Sequence, residues 1–219
     1  MAEQNIQIGE LIQFCKYQWR VLDIQGQAAL IITEDVIEKR VYHHTLEDVT
    51  WATCHMRQYL NGEFYDGFTR AEQSKIITVT NKTPNNLWFD TCGGEDTRDS
   101  VFNLTIEDVV CKYFGDSSHL LYNRGKNQMY WFQRKDPNNF RRIARYEGVV
   151  TKWHLRTPGR YQNRVACIGA DGDNPYMSGS AHITGNPVYV NPLSGKKTHV
   201  WDFMGVRPAL WLCVAQSNI

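Results

Sequence analysis

The chemistry this chain could carry rests on a few kinds of residue. Six cysteines (Cys15, Cys54, Cys92, Cys111, Cys167 and Cys213) are spread through 219 residues with no Cys-x-x-Cys. That spacing argues against a zinc site and reads as separate thiols of a reducing compartment rather than disulfides. A reactive cysteine needs thiolate character and access. Cys213 follows Trp211-Leu212 on a stretch expected to be a buried strand, so a structural role is expected for it. His43-His44 follows a short extended run with no evident partner. Neighbouring side chains on a strand point to opposite faces, a poor geometry for one metal, and the pair reads as a surface turn. No Gly-x-Ser-x-Gly occurs, so nucleophile–base catalysis has no motif to stand on. Asp171-Gly172-Asp173-Asn174 gathers two carboxylates and an amide around a glycine. Hard oxygen ligands of this kind suit calcium. No bidentate glutamate completes a calcium loop, however, and Asp-Gly-Asp also makes an ordinary hairpin turn. Asp171 and Asp173 are the metal candidates, and no other cofactor is implied.

A different chemistry fills the segment from Arg160 to Asp202. Its candidate contacts are Arg160, Tyr161, Asn163, Asp171, Asp173, Asn174, Tyr176, His182, Tyr189, Asn191, His199 and Trp201. Tyrosine and tryptophan supply rigid contact area at low entropy cost, and asparagine, serine and glycine supply adaptable hydrogen bonds, as in an antibody paratope. About 45 loop-rich residues in a compact domain are uncommon and usually functional. The expected partner is a protein or glycan receptor.

Something must hold that segment. Trp153-His154-Leu155-Arg156-Thr157-Pro158-Gly159 stands before it and Gly205-Val206-Arg207-Pro208-Ala209-Leu210-Trp211 after it. Both read as buried strands, with Trp153, Arg156, Arg207 and Trp211 in structural roles. A buried guanidinium needs carboxylate or carbonyl partners; Asp96, Asp99 and backbone carbonyls are the candidates.

The preceding chain supplies the rest of the scaffold. Trp19 to Ile24 alternates apolar and polar residues, Gln25-Gly26-Gln27 turns, and Ala28 to Thr33 returns, which predicts a β-hairpin. A short strand at Lys39–Tyr42 is expected to extend its sheet. Helices are predicted from Thr50 to Leu60, from a capping box at Thr69-Arg70-Ala71-Glu72 to Lys75, and from Thr105 to Phe114. Ile76 to Thr80 and Val101 to Leu104 should be extended. Asn139 to Tyr146 reads as a short helix whose run Arg141-Arg142-Ile143-Ala144-Arg145 is a solvated face.

Composition bounds the function. A net charge of +1 with interleaved acids and bases gives no case for nucleic acid or an anionic membrane. No stretch approaches the roughly 18 apolar residues of a membrane span. No signal peptide is visible at the N-terminus, which fits a cytoplasmic or virion-associated protein. Asn81 and Asn103 open Asn-x-Thr sequences, but without a secretory signal neither carries weight as a glycosylation site. Without repeats or a Pro-rich linker, residues 1–219 read as one α+β domain.

Several stretches together resemble a known family. They are Trp19 to Leu22; Val49-Thr50-Trp51-Ala52-Thr53-Cys54; Arg57-x-Tyr59-Leu60-Asn61; and Gly93-Gly94-x-Asp96-Thr97-x-Asp99-x-Val101-Phe102. With the two C-terminal motifs they resemble a bacterial and phage domain family of unassigned function, from about Leu11 to Val214. Where that family usually has two aromatics before Leu-Arg, this chain has Trp153-His154. The family is in turn similar to the C-type-lectin-like fold, in the branch of formylglycine-generating enzyme and the variable proteins of diversity-generating retroelements. The resemblance implies a twisted antiparallel sheet shared by the N-terminal hairpin and the C-terminal strands, two or three packed helices and long C-terminal loops at 160–204. It also implies three functions to weigh. The first is non-catalytic recognition, as in a phage tail adhesin or a variable protein. The second is a formylglycine-generating-enzyme-like oxidoreductase using Cys167 and Cys213. The third is an assembly domain whose loops form a homo-oligomer interface.

Overall fold

Apolar burial drives the first sheet, whose strand Ala28–Thr33 is buried at every position after Ala28. Tyr17–Gln25 returns through Gly26, whose φ of 58° suits the tight turn, into Ala28–Thr33. Leu11–Phe14 pairs with the near half of Tyr17–Gln25. On the far side Ala209–Cys213 pairs antiparallel with Ala28–Thr33, placing Leu210 opposite Ile31 and Leu212 opposite Ala29. Ile76–Ile77 completes the sheet. The N-terminal hairpin and the last strand therefore share one antiparallel sheet, as expected. The computed structural model describes residues 6–45, 47–123, 136–169, 181–182, 189–190, 197–198 and 203–214.

The two C-terminal motifs do not share that sheet, which refines the expectation. Trp153–Pro158 lies in a second sheet, between Arg164–Ile168 on one side and Met204–Val206 on the other. The pairing with Met204–Val206 is parallel, with Trp153 opposite Gly205. Glu38–Arg40 closes this second sheet and does not extend the first. The chain crosses between the sheets at Arg207-Pro208. Proline has no N–H to continue a ladder. Gly205 is glycine because the strands come so close: a Cβ there would lie 2.5 Å from the Val36 side chain and 2.9 Å from the Lys152 carbonyl.

The helices are shorter than the sequence predicts. His55–Asn61 is α-helical, with Cys54 as its N-cap and the Thr50–Thr53 stretch spent on turns. The capping box at Thr69 and Glu72 is present and opens Arg70–Gln73. Thr105 and Asp108 cap each other reciprocally, but the helix they start passes into a π-helical turn at Asp108–Lys112. Val101 to Leu104 is reduced to one bridge, Phe102 to Ala209.

The basic run is a solvated face only in part: Arg141 and Arg145 are exposed, and Arg142 is not. Helix Asn139–Arg142 stops after four residues, and Arg142 is fully buried. Its Nη1 donates to Asp136 Oδ2 at 2.8 Å, its Nε to the Val109 carbonyl and its Nη2 to Ser117 Oγ. With all three nitrogens paired, the buried charge is tolerated. Trp19, Trp51 and Trp153 anchor the core, and each indole N–H finds an acceptor: the Phe14 carbonyl, Asp99 Oδ2 and the Arg142 carbonyl.

Candidate functional site

The segment expected to bind begins on a pinned turn. Pro158 ends a wholly buried strand, and its carbonyl accepts from Asn86 Nδ2 at 2.8 Å. Gly159 N donates to the Arg164 carbonyl, and Arg164 N to the Tyr161 carbonyl. Thr91 Oγ1 donates to the Arg160 carbonyl at 3.0 Å. Gln162 Nε2 donates to the carbonyls of Val49 and Cys92, both at 3.0 Å. The backbone of residues 158–164 is thereby tied to three other stretches of chain. Two of its side chains stand outward: Arg160 is exposed and Tyr161 is 55% exposed. The Arg160 guanidinium lies 5.6 Å from the Phe89 ring centre and 5.4 Å from that of Tyr161, distances at which cation and ring attract. Asn163 is half-buried on the same turn. Sequence reasoning missed Phe89 and Gln162, because their partners are far away in the chain.

Two further candidates are placed by backbone pairing alone. His182 lies opposite Arg164 at the edge of the second sheet, and Tyr189 opposite Thr198 in a separate two-stranded ladder. Asp171, Asp173, Asn174, Tyr176, Asn191, His199 and Trp201 lie outside the described residues, and so does the calcium candidate made of Asp171 and Asp173.

The frame residues hold the segment's two ends. Trp153 is fully buried. Arg207 is buried too, donating from Nε to the Thr33 carbonyl and from Nη2 to the Glu34 carbonyl, both at 2.9 Å. Burial pulls its pKa down to about 10, which still leaves it charged at neutral pH. Arg156 donates to the carbonyls of Asn103 and Lys82, and Asp108 Oδ2 lies 3.7 Å away. Burial raises the Asp108 carboxyl, but the Arg156 charge and the Thr105 amide carry it below its ordinary value. Trp211 is only half-buried, packed against the core.

Asp99, one of the partners considered for Arg156, has a different principal role. Its carboxylate is fully buried. It accepts from Arg57 Nε at 2.6 Å, Trp51 Nε1 at 2.9 Å, Asn81 Nδ2 at 3.0 Å and Thr97 Oγ1 at 2.6 Å. Asn61 clamps the neighbouring backbone, accepting from Ser100 N and Val101 N and donating to the Val101 carbonyl. The spaced residues Trp51, Arg57, Asn61, Thr97 and Asp99 thus form one architectural network.

His43, His44, Glu47 and His55 gather in one place. His43 is buried rather than on a surface turn; its Nε2 meets Glu47 Oε1 at 2.8 Å and its Nδ1 meets His55 Nδ1 at 2.8 Å. One of these two ring nitrogens donates to the other. Among the described residues no group of three His, Cys, Asp or Glu is placed to hold a metal ion. None of the six cysteines forms a disulfide. Cys167 is buried in the second sheet, whereas Cys213 is exposed at the end of the first, contrary to the burial expected of it. The last strand delivers Leu210 and Leu212 to the core. Burial pushes the Cys54 thiol up to about 11. Asn81 and Asn103 are both buried, which suits their having no role as glycan acceptors. Among the described residues no helix is long and apolar enough to cross a membrane.

A family model for a domain of unknown function, DUF6273, matches residues 26–214. The chain belongs to this family. No curated protein and no solved structure matches it. The DUF6273 match covers the Asp99 network, both C-terminal motifs and the whole segment between them. The DUF6273 domain is α+β, built mainly of antiparallel sheets with few helices.

Proposed function

We propose that this DUF6273 domain is a non-catalytic recognition module. It binds a protein or glycan receptor through the segment from Arg160 to Asp202, carried on a C-type-lectin-like scaffold. The setting that suits it is a phage tail adhesin or a retroelement-diversified variable protein. One observation carries this reading: the turn that opens the segment has its backbone tied down while Arg160 and Tyr161 stand exposed beside Phe89. Exposed aromatic and guanidinium groups on a fixed backbone lose little entropy on binding, the condition for affinity without new folding. The charged motif residues are engaged within the scaffold: Asp99 and Arg57 with each other, Arg156 and Arg207 with backbone carbonyls. Cys167 and Cys213 sit in different sheets with opposite exposure, which gives the oxidoreductase alternative no support.

The test is a glycan and protein array probed with the purified full chain and with Tyr176→Ala and Tyr189→Ala. Specific binding by the parent that either substitution weakens at least tenfold supports the reading. Binding that neither changes contradicts it, as does a stable trimer in light scattering that buries Arg160 and Tyr161.

A further inference from the structure

Three imidazoles and a carboxylate meet where the chain after Glu38–Arg40 runs against the start of helix His55–Asn61. The ring centres of His43 and His55 lie 4.1 Å apart, and those of His44 and His55 4.4 Å. Glu47 Oε1, which also accepts from Thr45 Oγ1, meets His43 Nε2. His43 is buried and His55 half-buried, whereas His44 and Glu47 are exposed. The titratable groups acting on His55 are His43, His44 and Glu47, and those acting on Glu47 are His43 and His55.

The number of protons this cluster can hold is limited by its geometry. The two Nδ1 atoms stand 2.8 Å apart. Each also accepts a backbone N–H at 3.3 Å, His43 Nδ1 that of His55 and His55 Nδ1 that of His44. A single ring proton between the two nitrogens suits this arrangement, because one lone pair remains to accept it. An imidazolium has N–H on both nitrogens and no lone pair. With both rings protonated, two ring N–H groups and two backbone N–H groups would converge with no acceptor, and two like charges would face each other. Glu47 offsets one positive charge and not two, and a protonated His44 would add to the repulsion. Burial, followed by His43 and His44, already holds the His55 pKa below its ordinary value. The second proton therefore enters below the usual imidazole range, and it breaks the contact.

The contact holds one end of a short segment whose other end holds the turn of Arg160 and Tyr161. At the near end Met56 N donates to the Tyr42 carbonyl at 3.0 Å, beside the His43–His55 pair. At the far end Val49 N donates to the Gln162 carbonyl at 3.3 Å, and Gln162 Nε2 donates back to the Val49 carbonyl at 3.0 Å.

We infer that the His43–His55 contact is a pH-sensitive latch: protonation of both rings releases residues 43–49 and loosens the turn of Arg160 and Tyr161, so that a receptor held at neutral pH is let go in mild acid. The consequence for the receptor rests on the recognition reading above. The latch itself does not, and it is tested on the free protein.

The test is amide hydrogen exchange in the full chain at about pH 7.5 and about pH 5, on either side of the imidazole range, with rates corrected for the intrinsic effect of pH. The Val49 amide should lose at least tenfold of its protection at the lower pH, while Leu210 in the core keeps its own. His154, with a pKa near 4, stays neutral across this window. His55→Asn puts a neutral amide where Nδ1 stands and cannot take up the proton, so its Val49 protection should change less than twofold. If that variant does not fold, the parent's ring Cε1–H signals decide: His43 and His55 should titrate in two separated steps, as a coupled pair does. Equal Val49 protection at both pH values overturns the latch. So does parallel loss at Val49 and Leu210, the parent's response in folded His55→Asn, a single shared titration step, or a response that EDTA abolishes.

Discussion

Arg207 and Trp153, more than fifty positions apart in the chain, are in face-to-cation contact, with the guanidinium carbon 5.0 Å from the indole centre. Trp153 begins the motif before the long segment and Arg207 belongs to the motif after it. Their contact, with the parallel pairing of Trp153 and Gly205, fastens the ends of the segment to one sheet.

The Asp99 network predicts a large penalty for breaking it. Asp99→Ala leaves Arg57 without its carboxylate and orphans the donors of Trp51 and Asn81. The expected loss is roughly 3–5 kcal/mol, measured by urea denaturation. Because the groups act together, Arg57→Ala in the Asp99→Ala background should cost much less than Arg57→Ala alone. Additive losses would show that the two residues do not act as a pair.

His154 predicts an acid limb in stability. Burial holds its pKa near 4 despite its bond to the Arg40 carbonyl. An imidazole in an unfolded chain titrates near ~6.5. Between those values the unfolded chain takes up the proton more readily. The contribution is therefore present above the unfolded value and is lost as pH falls toward 4, by up to roughly 3 kcal/mol. His154→Phe keeps a ring against Tyr42, 5.6 Å away in the parent, and removes the titration. Denaturation midpoints from pH 7 to 4 should fall more steeply for the parent than for the variant. Parallel curves would contradict the assignment.

Glycine substitutions should rank by geometry. A Cβ at Gly93 would lie 1.9 Å from the Thr83 carbonyl oxygen and 2.6 Å from that of Pro84, both backbone atoms. At Gly26 nothing lies within 4 Å, and only the positive φ resists. Gly93→Ala should cost about 3 kcal/mol and Gly26→Ala about 1 kcal/mol, read from thermal or urea unfolding. The reverse order would contradict the packing around Gly93.

Thiol labelling should follow exposure. Cys92 and Cys213 are exposed, whereas Cys54 and Cys167 are buried. A brief iodoacetamide pulse on the native protein, mapped by peptide mass spectrometry, should modify the first pair and spare the second. A fast-reacting Cys167 together with copper binding would revive the oxidoreductase reading.

What the sequence made legible was local. The Thr69–Glu72 capping box and the Tyr17–Thr33 hairpin depend on neighbours a few residues away, and their spacing announces them. What it concealed was long-range. Nothing near Arg142 reveals that Asp136, Ser117 and the Val109 carbonyl will surround it, so a basic run looked solvated. The second C-terminal motif reads as one strand, but it breaks at Arg207-Pro208: Gly205-Val206 stays beside Trp153 in the second sheet and Ala209 to Trp211 enters the first. His43 looked like a turn residue because His55, which meets it, lies 12 positions on. In the segment proposed to bind, the residue types were legible, but the ties from Asn86, Thr91 and Gln162 that fix the turn carrying Arg160 and Tyr161 were not.

The central claim is that the pinned turn presents a recognition surface. The most direct measurement is receptor binding by the double variant Arg160→Ala/Tyr161→Ala, on whichever array ligand the parent captures, with unfolding followed in parallel. The account predicts at least a tenfold loss of affinity with stability within about 0.5 kcal/mol of the parent, as expected for surface positions. Unchanged affinity in a variant equally stable would contradict it.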